Sequence, residues 1–457
     1  MNPTTARRRF AAVTFLFWLP VGLYIPSQVL LLTERGMALA AVAGLFAVHS
    51  LTVSALELPT GGLSDVLGRR PVLAVSGLLN LGALLLLALG GSLWVLACAM
   101  LLLGSGRALS SGPAEAWYVD TVQASAGPGA ELRTGLARAG AASAAALAAG
   151  TLAGGALPLL AGLLPGPGVR AATSGLVLPL SVPALLGSLV CAGYIAYVLT
   201  ALPEPPRPPA TARSVLRGVP TTVLAGLRLG TGDALVRRLL LTAGATGAAL
   251  APVELLAPAR AAGLTGGAES GAVLFALMAC TGFACTGLGS HLAPRTARRA
   301  GGSGERAVLL SLAVSASGLL LLGVTAHPAL AAHPFALIGA ATGYALVYLG
   351  LGSAGPNANE LLHRRVGGSV RATALSVQSL ALQLTGALAG LAAGTLPTGP
   401  LPWLLAGGAL LTAALLWLRG ANTTAGAVDS TRPLPDAVPS GRGTGTGTGT
   451  TAGAGVV

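Results

Sequence analysis

Apolar residues along this chain come in long unbroken runs, separated by short polar stretches rich in arginine, glycine and proline. A bilayer core of about 30 Å takes about 20 apolar helical residues to cross. Twelve runs meet that length: Phe10–Leu32, Leu39–Thr60, Val72–Leu89, Leu93–Val119, Gly135–Leu160, Leu176–Leu199, Leu239–Ala259, Ser270–Leu288, Ala307–Thr325, Pro334–Ala354, Ala374–Thr395 and Leu401–Leu418. The fifth and eighth have the lowest contrast, because Ala and Gly dominate them. The runs do not alternate with period two, which excludes a β-barrel. Arg7, Arg8 and Arg9 precede the first run in the manner of a signal peptide. No small-residue cleavage site follows, so the run is read as a span.

Composition agrees. Of 457 residues 53% are hydrophobic and 9% charged, against about 25% charged in soluble domains. Only a lipid-facing surface tolerates that deficit. The 66 glycines suit close helix packing in lipid. Every one of the 27 basic residues is Arg, and the net charge is +13. In a soluble protein that charge would point to nucleic acid. Here it points to loops that face anionic lipid. With the N-terminus inside, 23 arginines fall on cytoplasmic segments and 3 on outer loops. This bias predicts cytoplasmic termini and an even number of spans in a plasma-membrane protein.

The longest internal gap opens with Pro203-Glu204-Pro205-Pro206-Arg207-Pro208-Pro209, a stiff extended segment. It divides the chain into a first six-helix bundle over 1–202, a central cytoplasmic loop over 203–238 and a second six-helix bundle over 239–419. The Gly/Thr-rich tail over 420–457 is expected to be disordered. Gly112-Pro113 in span four and Gly355-Pro356 in span ten sit at matched positions, which favours duplication.

The loop after span two reads Glu57-Leu58-Pro59-Thr60-Gly61-Gly62-Leu63-Ser64-Asp65-Val66-Leu67-Gly68-Arg69-Arg70-Pro71. It resembles the signature loop of the major facilitator superfamily, and Gly61, Leu63, Asp65, Gly68, Arg69 and Arg70 carry the match. The variant with Glu-x-Pro-Thr-Gly ahead of it looks like a branch of bacterial exporters. Gly61 and Gly68 permit a tight turn, and Asp65 can sit at a helix N-terminus. The resemblance implies an all-α membrane protein with twelve transmembrane helices in two six-helix bundles. In such a fold the loop acts as a latch between the halves. The alternative is a tight turn with arginine anchors, which is preferred for Arg70.

Span four carries Arg107, then Gly112, Pro113, Glu115, Trp117, Tyr118 and Asp120. An arginine inside a span costs about 2.5–3.5 kcal/mol on insertion scales, so it should face protein or a water-filled cavity. Glu115 lies eight residues on, about 80° round one continuous helix. Pro113 should bend that helix. Arg107 is either functional or half of a structural ion pair with Glu57 or Glu115. Trp117 and Tyr118 read as interfacial anchors and Asp120 as a membrane-edge residue. The stretch resembles the fourth helix of actinobacterial-type exporters. It departs from the superfamily's Arg-x-x-x-Gly pattern there, because Gly112 is five residues after Arg107.

Span five contains Gly150, Gly154 and Gly155. They partly resemble the Gly-Pro-x-x-Gly-Gly motif of drug antiporters, with Thr151 at the proline position. Small-residue packing is the preferred reading, also for Gly386, Gly390 and Gly394. Glu254 in span seven is placed a turn or two from the outer surface. It is a candidate proton or cation site, or else an edge carboxylate. Glu57 and Glu360 read as gate or capping residues. The segment Gly287–Arg299 looks like a degraded second signature loop with His291 at the acid position. Cys98, Cys191, Cys280 and Cys285 match no metal spacing, and His49 reads as an ordinary polar residue. A chain without Lys has no Walker-type nucleotide loop.

The expectation is a proton-coupled exporter of small amphipathic compounds working by alternating access. Its expected partners are a small-molecule substrate, protons and lipid. No cofactor, metal, nucleotide or nucleic acid is expected, and the chain should be a monomer. An importer of a nutrient on the same fold is the nearest rival, discriminated by a dense polar site. Spans one, four, seven and ten offer few polar residues, which favours apolar cargo. A membrane-embedded enzyme or scaffold would need a catalytic constellation or a soluble domain.

Overall fold

The structure, a computed structural model, describes residues 1–61, 63–127, 129–163, 168–204, 232–331, 333, 335–366 and 368–421. Most of the central loop and nearly all of the tail lie outside the described residues. Twelve helical spans are present: Pro3–Glu34, Leu39–Glu57, Arg69–Leu89, Leu93–Ala126, Arg133–Gly162, Pro179–Ala201, Ala234–Thr265, Ala268–Arg299, Gly304–Thr325, Phe335–Arg365, Ala374–Thr395 and Leu401–Leu418. The chain is an all-α, twelve-span protein over its described residues.

Several helices overrun the apolar runs. Spans seven and eight are each 32 residues long, about 48 Å at 1.5 Å per residue. Hydropathy marks where lipid ends, whereas arginine is a good helix former. The helix of span eight therefore continues through Arg295 to Arg299. The second signature loop expected at Gly287–Arg299 does not exist as a loop, and His291 stands on that helix.

Span four differs in the opposite sense. It is two helices, Leu93–Ser110 and Pro113–Ala126, so a break replaces the expected bend. Gly112 takes φ +96°, and Pro113 is the first residue of the second helix, where its missing N–H costs nothing. Pro356, its match in span ten, lies inside an uninterrupted helix, Phe335–Arg365.

Packing repeats between the halves. Span one packs on spans five and six, span two on four, and span three on four and six. Span seven likewise packs on eleven and twelve, eight on ten, and nine on ten and twelve. The halves meet where span two packs on eleven and span five on eight. Small residues permit the closest of these approaches. A Cβ at Gly22 would fall 3.0 Å from the Cα of Gly150, so spans one and five touch backbone to backbone. Gly154 abuts the backbone of Leu23 in the same seam, and Gly386 abuts Gly247 between spans eleven and seven.

Trp117 and Tyr118 are not interfacial. Both are fully buried, in a core cluster with Phe10, Leu73 and Tyr194. Phe10 and Tyr118 stack with centroids 4.9 Å apart. The Trp117 indole N–H donates to the Pro203 carbonyl at 2.9 Å.

Candidate functional site

A cavity of about 210 Å³ lies between the halves, lined by spans one to four of the first and spans seven, eight and ten of the second. On span one, Phe17, Val21, Tyr24 and Gln28 line it; spacings of three and four put them on one helix face. Gly22 looks the other way, into the seam with span five. On span ten, Tyr344 and Tyr348 are one turn apart, ring centroids 4.8 Å from each other. The ring of Tyr344 lies against Gly282 of span eight, where a Cβ would come within 2.8 Å of it.

Two charged side chains enter from opposite halves, Arg107 from span four and Glu254 from span seven. The Arg107 guanidinium lies over the Trp18 ring, 5.0 Å from its centroid, a cation–π contact strengthened away from water. No carboxylate comes within ion-pair distance of it among the described residues. Glu254 is deep in the protein yet accessible, because it faces the cavity. It sits eleven residues from the end of its helix, about 16 Å, deeper than the expected turn or two. His49, Ser50 and Asn80 add polar surface.

The other sequence-derived residues lie elsewhere. The break at Gly112 takes Glu115 away from Arg107. It lies half-buried in the first turn of Pro113–Ala126 and does not line the cavity. Glu57 does not pair with Arg107 either: its Oε2 accepts a 3.0 Å hydrogen bond from the Ser379 hydroxyl across the seam between spans two and eleven. The Thr60 hydroxyl donates to the Ala108 carbonyl at 3.1 Å, tying span two to span four.

Gly61 ends the helix of span two, and Asp65 lies in a short helix, Leu63–Leu67. The Asp65 side chain and Gly62 lie outside the described residues. Gly68, at φ +105°, opens the next helix. Among the described side chains Glu204 reaches that N-terminus: its carboxylate accepts from the backbone N–H of Arg69 at 2.9 Å and of Arg70 at 3.3 Å. The Arg69 side chain pairs with Asp120, and the Arg70 guanidinium donates to the Leu199 carbonyl. These bonds join the first half to itself and to the start of the central loop. The second half has its own tie. Asp233 caps span seven through the N–H groups of Leu235 and Val236 and pairs with Arg365 of span ten at 2.7 Å.

We call the end of the bundle where span one begins and span twelve ends the terminal end, and the opposite end distal. The halves touch closely at the distal end. A Cβ at Gly155 would meet the Ala272 carbonyl at 2.8 Å, and one at Gly394 would meet the Ala43 side chain at 2.6 Å. Nearer the middle, the Cys280 thiol is 3.7 Å from the Ala148 carbonyl. No cluster of His, Cys, Asp and Glu suited to a metal occurs among the described residues.

Sequence reasoning singled out Arg107 and Glu254 but missed Trp18, Tyr24, Gln28, Tyr344 and Tyr348. The available signal was the set of large polar and aromatic residues at helical spacing on spans one and ten.

No curated protein matches this chain. Solved structures similar in fold include a mutant of the nucleoside transporter NupG, at TM-score 0.70 and 12% identity, covering 91% of this chain and 99% of that one. A bacterial homologue of the human drug peptide transporters PepT1 and PepT2 aligns at TM-score 0.63 and 15% identity, covering 93% and 99%. A D-xylose-proton symporter aligns at 0.64 and 14%, covering 91% and 97%. Identities this low speak to the fold alone. The family model of the Major Facilitator Superfamily matches residues 10–390, which include the signature loop and both charged walls of the cavity. With its twelve spans, its paired halves and that match, the chain belongs to the major facilitator superfamily of secondary transporters.

Proposed function

We propose that this chain exports small amphipathic compounds in exchange for protons, with Glu254 as the carboxyl that holds either a proton or the substrate. The observation that carries this reading is the position of Glu254. It faces a cavity between the halves, opposite Arg107, with no ion-pair partner among the described residues. A carboxyl so placed is available to ligands from whichever side the cavity opens. Exchange follows if proton and substrate compete for it. Their differential binding to two arrangements of the halves drives the rocking between them, and downhill movement of protons supplies the energy for uphill movement of substrate. The distal seam at Gly155 and Gly394 must part in the other arrangement. Asp65 and its loop would set the balance between the two. The arginine bias supports a plasma-membrane location with cytoplasmic termini.

The test is transport in proteoliposomes with an imposed pH gradient, set beside counterflow without one. Glu254→Gln should abolish uphill movement and retain downhill exchange. If the variant still concentrates substrate like the parent, Glu254 is not the proton carrier. A symporting importer is the second reading, favoured by folds such as that of the D-xylose-proton symporter. An acidic lumen drives uptake by an antiporter, whereas acid outside drives uptake by a symporter.

A further inference from the structure

Among the described residues lining the cavity are one arginine and one carboxyl side chain, each contributed by a different half. Arg107 and Glu254 stand beyond the 4.0 Å reach of an ion pair. Neither has a hydrogen-bond partner among the described residues. Two opposite charges that close on each other would form a structural bridge. Two held apart, each with open bonding capacity, are arranged for something between them.

The Arg107 guanidinium carbon lies over the Trp18 ring, and its N–H groups have no hydrogen-bond partner among the described residues. Those groups suit a carboxylate, which a guanidinium engages through two parallel bonds. Glu254 accepts hydrogen bonds from an ammonium. Between them the walls are aromatic: Phe17, Trp18 and Tyr24 on one side, Tyr344 and Tyr348 on the other. Rings of this kind stack on an apolar body and attract a cation to their faces.

We infer that the cavity takes an amphipathic zwitterion: an aromatic or apolar body carrying a carboxylate for Arg107 and an ammonium for Glu254. The inference rests on the cavity being the transport site and specifies its substrate class. It also gives the exchange a physical reason. The ammonium and the proton contend for the same Glu254 carboxyl, and the carboxylate on Arg107 decides which solutes contend at all. A substrate that spans both charges links the two halves, since Arg107 rides on the first and Glu254 on the second.

The test uses the full chain in lipid nanodiscs and three probes with a common indole body: free L-tryptophan, tryptamine and indole-3-propionate. Binding is measured by calorimetry at pH 7. A hydrogen bond to a charged group contributes about tenfold or more to affinity. L-Tryptophan should therefore bind at least tenfold more tightly than either singly charged probe. Arg107→Gln should erase its advantage over tryptamine and Arg107→Lys should keep part of it. Glu254→Gln should erase the advantage over indole-3-propionate and Glu254→Asp should keep part. Equal binding of tryptamine and L-tryptophan by the parent chain overturns the inference, as does no binding of any probe. The proton reading fails separately. If L-tryptophan binds best but no pH gradient moves it, exchange with protons falls and the substrate class stands. If tryptamine binds best and an acidic lumen drives its uptake, the substrate class falls and exchange stands.

Discussion

The Ser379 hydroxyl donates a 3.0 Å hydrogen bond to Oε2 of Glu57, and the bond joins span eleven of the second half to span two of the first. Glu57 had been a candidate partner for Arg107. Its carboxylate belongs instead to the seam that must rearrange when the halves move.

Losing such a bond at a half-buried site should destabilise this arrangement by about 1 kcal/mol. That corresponds to about a fivefold shift in population. Ala43, 1% exposed at the distal end of the same seam, can report it. In a chain stripped of its native cysteines, Ser379→Ala should raise thiol labelling of Ala43→Cys about fivefold in detergent. Unchanged labelling would mean that the bond does not weigh on the balance.

Gly155 sits where span five meets Ala272 and Ala276 of span eight. A leucine there has no room while the distal seam is closed. Gly155→Leu should lower transport more than tenfold and leave the distal end open to thiol reagents. Gly193, in span six, has open space around it, so Gly193→Leu should stay within about twofold of the parent. Equal tolerance at both positions would remove the seam from the mechanism.

Asp233 lies just outside the membrane-spanning part of span seven, its side chain 5% exposed. Burial pushes its carboxyl upward. The N–H groups of Val236 and Leu235 and the Arg365 guanidinium outweigh burial and hold it below the usual carboxylate range. A depressed folded value means stabilisation that is fully present above about pH 3.9 and is lost as pH falls through the folded value. Asp233→Asn keeps a cap but removes the charge pair. Melting in detergent should show the parent ahead of Asp233→Asn by a constant margin from pH 8 to 5. The margin should shrink below about pH 4. A margin that persists into stronger acid would show that the pair is not its source.

Arginine bias places the central loop on the cytoplasmic side. A cysteine introduced at position 218, in the chain lacking its own four, should resist membrane-impermeant label in intact cells and react after permeabilisation. Labelling from outside would overturn the orientation.

Hydropathy determined the number of spans and the all-helical class, and the residues from Gly61 to Arg70 located the signature loop between two of those spans. These depend on local composition: lipid selects twenty apolar residues in a row, whichever neighbours they later meet. Arg107 and Glu254 were legible for the same reason, because a charge in an apolar run must face something other than lipid. Their surroundings were not legible. The break at Gly112 carried Glu115 off the Arg107 face, and one residue in the left-handed region undid a helical-wheel argument that assumed continuity. Trp117 and Tyr118 looked like anchors because aromatic residues near a span end usually are, yet packing against Phe10 buried them. Glu204 lay in a proline-rich stretch and was read only as linker, but folding brought its carboxylate to the N-terminus of span three. The cavity itself belongs to the tertiary structure. Residues as far apart in sequence as Trp18 and Tyr348 line it together, and only the packing of the two halves decides which faces of twelve helices look inward.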